Sequence, residues 1–493
     1  MEPLLAPSLI EIDKSAPLPI PEQIYRSLRV AVQKQMLAPG HRLPSSRELA
    51  QHLGVSRNSV NTAYDLLKAE SIVTVKRGAS PIVAGSVELE GKSKISEAPA
   101  FRPRLSKRGE RQTADYRGPY WAKGAGVLQS GAPARDLFPY DMWARCLRRA
   151  VRSLKSDFLL YHDATGYRPL KETLATYLSS ERGVRAKPDQ IIITSTMQGT
   201  LTALATALAD PGDAVWIEDP GYLGARSAFL SAGLTPSGIP VDAEGCTVPP
   251  KGEVPDPKLI YVSPSHQFPL GVKMSLARRL ALIERARRSG AIILEDDYDS
   301  EFLFESRPVA AMQGLAEEGE VIYLGTFSKS LLPGLRIAFC VVPDALVEPL
   351  QRLFRYTGCI ANVHVQAALA DFIESGHYRS HLRRIRQEYE SRGRLMVRIF
   401  RDILGNRISV EPPTGNVQLV LQLNSGHDDC ELAIALQKRG FSVSPVSQSY
   451  LGQAQMRGLL VGFADANEAQ MIAFAREVGT FLMAKLDPDP KAT

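Results

Sequence analysis

Residues 321–336 read Val321-Ile322-Tyr323-Leu324-Gly325-Thr326-Phe327-Ser328-Lys329-Ser330-Leu331-Leu332-Pro333-Gly334-Leu335-Arg336, and the fold turns on this stretch. Its apolar, β-branched opening predicts a buried strand that ends among hydroxyls at Lys329. Arg336 follows seven residues later, beyond a Pro-Gly turn. A lysine just past a buried strand, with hydroxyls and a guanidinium beside it, suggests a Schiff-base amine next to a phosphate clamp. On its own such a lysine is more often a solvated charge. The reading therefore depends on what the neighbouring strands bring to the same edge.

Three further segments have the same shape. Ile191-Ile192-Ile193-Thr194-Ser195-Thr196-Met197-Gln198-Gly199-Thr200 is an apolar run passing into a helical stretch. Such a junction exposes free amide N–H groups at the positive end of a helix, which suits a phosphate. Ala214-Val215-Trp216-Ile217-Glu218-Asp219-Pro220-Gly221-Tyr222 sets an aromatic ring on the loop after a buried strand, where open α/β sheets bind ligands. Ala291-Ile292-Ile293-Leu294-Glu295-Asp296-Asp297-Tyr298-Asp299-Ser300-Glu301 brings a carboxylate cluster and a phenol to one strand end. Clustered carboxylates repel, so a cationic partner or a metal such as magnesium is expected to hold them.

Working outward, short β-rich runs alternate with amphipathic helical stretches from about residue 119 to about 485, which predicts an α/β fold. Residues 85–118 are polar and basic with almost no apolar periodicity, and read as a flexible linker. The 493 residues allow about three folding units. A 44% hydrophobic share and 23% charged residues describe a globular chain rather than a disordered one. No apolar run is long enough for a membrane span, and the start lacks a basic stretch followed by an apolar core. Cys146, Cys246, Cys340, Cys359 and Cys430 are scattered without a C-x-x-C pair, which speaks against a disulfide framework or a zinc ribbon. A cytoplasmic location is expected, with no membrane association and no metal.

The net charge of +6 is unevenly placed. Residues 1–118 hold 18 Lys+Arg against 12 Asp+Glu, and the remainder is balanced. A basic head on a neutral body favours a polyanion partner. Within 20–84, Ile24, Leu28, Ala31, Val32 and Met36 form one apolar face, closed by Pro39-Gly40. Arg42-Leu43-Pro44-Ser45-Ser46-Arg47-Glu48 then opens a short helix with a Ser45–Glu48 capping box. Gly54 breaks it, and Ser56 caps a second helix whose buried stripe is Val60, Ala63, Tyr64 and Leu67. That is helix–turn–helix punctuation. Arg57, Asn58, Ser59 and Asn61 stand where a recognition helix meets base edges. Ile72–Val75 and Ile82–Ala84 read as two short strands with a basic tip at Lys76-Arg77. Arg42, Ser45, Ser46, Arg47 and Ser56 complete the expected DNA-facing set; a small helical protein-docking domain is the plainer alternative.

Residues 20–84 resemble the winged helix of GntR-type bacterial regulators, most densely in RLPSSRELAQHLGVSRNSVNTAYDLLKAE. Ser71 departs from the glycine that family usually places after Ala-Glu, so the turn into the wing is expected to differ. Residues 119–485 resemble the fold-type-I aminotransferases: a mostly parallel sheet with flanking helices and a smaller C-terminal α+β subdomain. That resemblance implies pyridoxal 5′-phosphate (PLP), held as an aldimine on Lys329. It implies Asp296 at the pyridine nitrogen, Tyr298 at the ring hydroxyl and Tyr222 stacked on the ring. Ser328, Arg336 and the amides of Met197 and Gln198 would hold the phosphate. Tyr161 would reach the phosphate of a partner subunit in a homodimer.

A winged helix fused to such a body resembles the MocR/GabR-like regulators. The resemblance implies a factor that binds double-stranded promoter DNA and senses a small amine, or PLP itself. The alternative is a PLP-dependent aminotransferase with an accessory DNA-binding domain. A body that has lost its cofactor is disfavoured by the joint presence of Lys329, Asp296, Tyr222 and Arg336. Three departures bear on the choice. Thr196-Met197 replaces Gly-Ser, which costs a phosphate hydroxyl. Phe268 replaces the Asn at the ring oxygen, so His266 or Gln267 is expected to substitute. Leu460 stands where aminotransferases carry the arginine that grips a substrate carboxylate, with Arg457 off register.

Overall fold

The computed structural model describes residues 9–76, 79–84, 103–113, 126–154, 166–304, 309–424 and 426–484. Two compact units emerge, residues 1–103 and 104–493. In the first, helices Ile20–Gln33, Ser46–Leu53 and Arg57–Ala69 precede strands β1 (Val73–Thr74) and β2 (Ile82–Val83), which pair antiparallel. The capping box forms as read: the Ser45 amide donates to Glu48 Oε2 at 2.9 Å, and the Glu48 amide to Ser45 Oγ at 3.3 Å. Gly54, at φ +61, ends that helix, and Ser56 Oγ accepts the Ser59 N–H at 3.1 Å to start the next. Tyr64 donates to the Pro44 carbonyl at 2.8 Å, tying the second helix of the pair to the segment before the first. The opening helix stops at Gln33, short of the expected Met36. Gln35 turns left-handed at φ +58, which leaves Met36 beyond the helix and 50% exposed.

The stretch read as linker contains a helix, Lys107–Thr113. Ser106 explains it, accepting the Gly109 amide on its hydroxyl at 3.0 Å and the Glu110 amide on its carbonyl at 2.8 Å. The rest of 85–118, apart from residues 103–106, lies outside the described residues.

The second unit is built on an eight-stranded sheet of β3 (Ile191–Thr194), β4 (Ala214–Asp219), β5 (Thr235–Asp242), β6 (Gly245–Cys246), β7 (Leu259–Val262), β8 (Ile292–Asp297), β9 (Val321–Thr326) and β10 (Ala338–Val341). Its order is β3-β10-β9-β8-β7-β4-β5-β6. Strands β5, β4, β7, β8 and β9 run parallel, while β10 is antiparallel to both its neighbours. Alternate side chains enter different cores. Ile192, Ile217, Ile322 and Leu324 pack with Leu201, Phe229 and Phe354. Ile191, Ile193, Tyr323 and Phe339 pack with Leu170, Leu174 and Phe372. Burial on both faces is why these strands read as unbroken apolar runs.

Beyond the long helix His377–Leu404 lies a second, antiparallel sheet of β11 (Ile408–Ser409), β12 (Gln418–Leu423), β13 (Ser444–Pro445) and β14 (Gly458–Gly462), in the order β11-β12-β14-β13. The closing helix Glu468–Ala484 packs on the long one through Phe400 and Phe474, whose ring centroids are 5.5 Å apart. Among the described residues no helix is long and apolar enough to cross a membrane.

Candidate functional site

Strand register brings the four quoted segments to one edge. Ala338 on β10 pairs with Thr194 on one side and Thr326 on the other, so β3 and β9 end level. Asp297 on β8 pairs with Gly325 of β9. The residues just after β3, β8 and β9 therefore leave the sheet together, at the carboxyl ends of its parallel strands.

Lys329 Nζ donates to the Gly131 carbonyl at 2.6 Å. Burial lowers its pKa, against the opposing pull of the Asp299 and Asp296 carboxyls. Asp296 is 4% exposed; its Oδ2 accepts from Tyr261 at 2.5 Å, while its Oδ1 is buried with no hydrogen-bond partner. Burial pushes the Asp296 pKa up to about 7, although the Tyr261 hydrogen bond opposes the rise. Tyr298 lies two residues on, and its hydroxyl stands 3.5 Å from Asn416 Nδ2.

The remaining acids have partners of their own, and Asp297 and Asp299, like Asp296, each keep a buried Oδ1 with no hydrogen-bond partner. Glu295 accepts the Met312 and Gln313 amides at 2.7 and 2.9 Å. Asp297 meets Arg182 at 2.7 Å and Tyr323 at 2.6 Å; against the cost of burial, Arg182 above all holds its pKa low. Asp299 receives His266 Nδ1 at 2.8 Å. The candidate metal group among the described residues, Asp428, Asp429 and Cys430, is on a different element, and Asp429 is already engaged by Ser447 and Gly458.

Around the helix start at Met197, the amides of Met197 and Gln198 have no intrahelical acceptor, as in any first turn. The Thr196 hydroxyl is occupied, accepting the Gly199 amide at 3.1 Å as the N-cap. Gln198 Nε2 reaches the Gly224 carbonyl at 3.0 Å. Ser328 Oγ lies 3.0 Å from Thr326 Oγ1, and Arg336 is exposed in a left-handed conformation at φ +53. Tyr222 meets Phe268 edge-on, with centroids 5.5 Å apart. Tyr161 lies outside the described residues.

His266 commits Nδ1 to Asp299, and Gln267 Nε2 donates to the Pro220 and Phe268 carbonyls at 2.7 and 2.5 Å. Asn416, which the sequence reading missed, is the amide at the Tyr298 hydroxyl. It is 4% exposed and sits at φ +71 just before β12. The Gly415-Asn416 pair, suited to a left-handed turn, was the available signal. Leu460 is buried at 2% on β14, and Arg457 is drawn to Asp428 at 3.4 Å.

On the winged helix, Arg42, Arg47, Arg57, Asn58, Asn61 and Lys76 are exposed. Arg57 Nε donates to Ser46 Oγ at 3.3 Å, so the two helices of the motif meet at this polar face. The hydroxyls of Ser45, Ser56 and Ser59 are engaged at helix starts. Arg77 lies outside the described residues.

The comparisons with known proteins agree with this geometry. Residues 20–83 match the bacterial regulatory proteins of the gntR family, and residues 128–476 match aminotransferase class I and II. The chain is 38% identical to a probable rhizopine catabolism regulatory protein, MocR of Rhizobium meliloti, over 94% of each chain. It belongs to the MocR family of GntR-type transcriptional regulators. The pyridoxine biosynthesis regulator PdxR of Corynebacterium glutamicum is 28% identical over 94% of this chain and 96% of its own. Among solved structures, the α-aminoadipate aminotransferase LysN of Thermus thermophilus, complexed with a phosphopyridoxyl-leucine, superposes with a TM-score of 0.69 at 25% identity. That match covers 78% of this chain and 98% of LysN.

The cofactor of this MocR-family chain is PLP, and the residues present fit it. The unpartnered Oδ1 of Asp296 is an acceptor waiting for a donor such as a ring N–H. A lysine, a phenol and a helix start with no acid in its first turn stand at the same sheet edge.

Proposed function

We propose that this chain reads promoter DNA with its winged helix and reads a small amine, or PLP itself, with its aminotransferase-fold unit. The observation that carries the reading is the buried, unpartnered Asp296 Oδ1 beside Lys329, in a chain whose first unit presents an exposed recognition helix. PLP, when bound, supplies an electrophilic carbon that exchanges amines on a ring able to draw electron density. Lys329 is the residue that carries it. Asp296 holds the ring nitrogen protonated, Tyr298 with Asn416 behind it meets the ring oxygen, and Tyr222 covers one ring face. The Met197 and Gln198 amides, Ser328 and Arg336 take the phosphate, joined by Tyr161 across a homodimer. His266 acts indirectly, by fixing Asp299.

On the DNA side, Arg57, Asn58 and Asn61 meet base edges, while Arg42, Ser46, Arg47, Lys76 and Arg77 meet backbone phosphate. Ser45, Ser56 and Ser59 order the helix starts. A ligand changes operator affinity only as far as it binds two conformations unequally. The role is regulatory, in the cytoplasm, with at most half of a transamination. A working aminotransferase is the second reading, favoured by the survival of Lys329, Asp296 and Tyr298 together.

The visible spectrum of the full chain separates the two. A band shift on adding single amines that persists after a 2-oxo acid supports the sensor. A band that disappears with an amine and returns with the oxo acid establishes turnover and overturns it.

A further inference from the structure

One face of the second sheet carries no charged side chain on its paired strand residues. Strands β12 and β14 pair Gln418 with Gly462 and Val420 with Leu460, and β13 sets Ser444 opposite Leu460. Cross-strand partners project to the same face of a sheet. Leu419, Leu421, Leu459 and Val461 occupy the opposite face and belong to the core. The face bearing Gln418 thus offers Val420, Ser444 and Leu460, all of them neutral.

Gln418 is only 6% exposed, and its carboxamide makes no hydrogen bond with any described residue. Both it and the lysine amine approach Gly131. Gln418 Oε1 and Lys329 Nζ lie 3.7 and 2.4 Å from the point where a Cβ on Gly131 would stand. A carboxamide on a residue only 6% exposed, with no partner among the described residues, is left to pair with a ligand near Lys329. The charges that reach Lys329 are the Asp299 and Asp296 carboxyls. Arg182 is committed to Asp297 and Arg457 to Asp428, and Arg336 is the guanidinium assigned above to the phosphate. An amine suits this space. On this face of the sheet an anionic tail would meet neutral side chains and no cation among the described residues.

We infer that Gln418 reads a hydroxyl on the effector, and that the effector is a hydroxylated amine with no carboxylate or sulfonate. This rests on the PLP reading above and names the ligand class for that same site. A carboxamide offers one donor and one acceptor group, the pairing a hydroxyl satisfies at both ends. Leu460, on the same face, excludes the acid analogue because a buried anion needs a partner it cannot supply. Gln418 is a specificity-determining residue in this scheme.

The test titrates the PLP-loaded full chain with 3-aminopropan-1-ol, 3-aminopropanoate and propylamine, reading the concentration that half-shifts the visible band. The amino alcohol is expected to act at about tenfold lower concentration than either of the others, the scale of one well-made hydrogen bond. Gln418→Leu should erase its advantage over propylamine. Leu460→Arg, which leaves the amide in place, should move the preference toward 3-aminopropanoate. A wild-type preference for 3-aminopropanoate overturns the inference, as does a Gln418→Leu protein that keeps the tenfold ratio. If Gln418→Leu does not fold, the wild-type order and Leu460→Arg decide. A band that responds to none of the three amines also overturns it, leaving the cofactor reading intact; a chain that shows no PLP band at all removes both.

Discussion

Asp296 shows how a single residue couples cofactor binding to stability. Burial keeps its native pKa near 7, whereas the free side chain ionises near 3.8. Between those values the native state holds a proton that the unfolded state has lost, so stability falls as pH rises through that window. The cofactor-free protein should therefore melt at a lower temperature at pH 7 than at pH 5, and Asp296→Asn should reduce that dependence without abolishing it, because burial also raises Glu218, Glu295 and Glu301 to about 7. A differential-scanning series across pH checks this; an unchanged slope in the variant would place the proton elsewhere. Arg57 poses a different question at the same scale. Arg57→Ala should weaken operator binding by about 1–3 kcal/mol while barely changing binding to random duplex, if the guanidinium meets a base. Equal losses on both DNAs, measured by fluorescence anisotropy, would put Arg57 on phosphate.

At the scale of the element, the turn into the wing shows what a departure from a pattern costs. Ser71 adopts φ +58, the left-handed conformation that a glycine accepts without strain. The turn is kept and the side chain bears the strain, about 1 kcal/mol for a residue with a Cβ. Ser71→Gly should stabilise the wing by about that amount, slowing hydrogen exchange at the Ile72 and Val73 amides about fivefold. No change in exchange would mean the serine is unstrained. The helix–turn–helix punctuation was legible in advance because capping is local: Ser45, Glu48, Gly54 and Ser56 act within a few residues of themselves. The helix at Lys107–Thr113 was not legible, since one capping serine among polar residues carries no apolar period.

For the whole molecule the question is whether sensing and DNA reading separate. The two units each have a core of their own, the first around Ile24, Leu49 and Leu67, the second around its large sheet. Lys329→Ala should therefore remove the visible band and the amine response while leaving effector-free operator affinity unchanged, as gel-shift titration would report. Loss of operator binding in a well-folded variant would mean that the cofactor site helps build the DNA-binding form.

The sequence by itself determined the elements and their chemistry: strands as apolar runs, helices by caps and period, and Lys329, Asp296, Tyr298 and Arg336 at strand ends. These signals lie within a few residues of each other, where covalent geometry and local hydrogen bonds act. Only the tertiary structure decided who partners whom. Asn416 reaches Tyr298 across 118 residues, and Gly131 and Gln418 come to Lys329 from segments 198 and 89 positions away along the chain. Likewise the acids of β8 are separated into different partnerships, one with Tyr261, one with Arg182 and one with the Met312 and Gln313 amides. Such pairings depend on strand order and register, which are set by the packing of whole faces and leave no mark in local sequence.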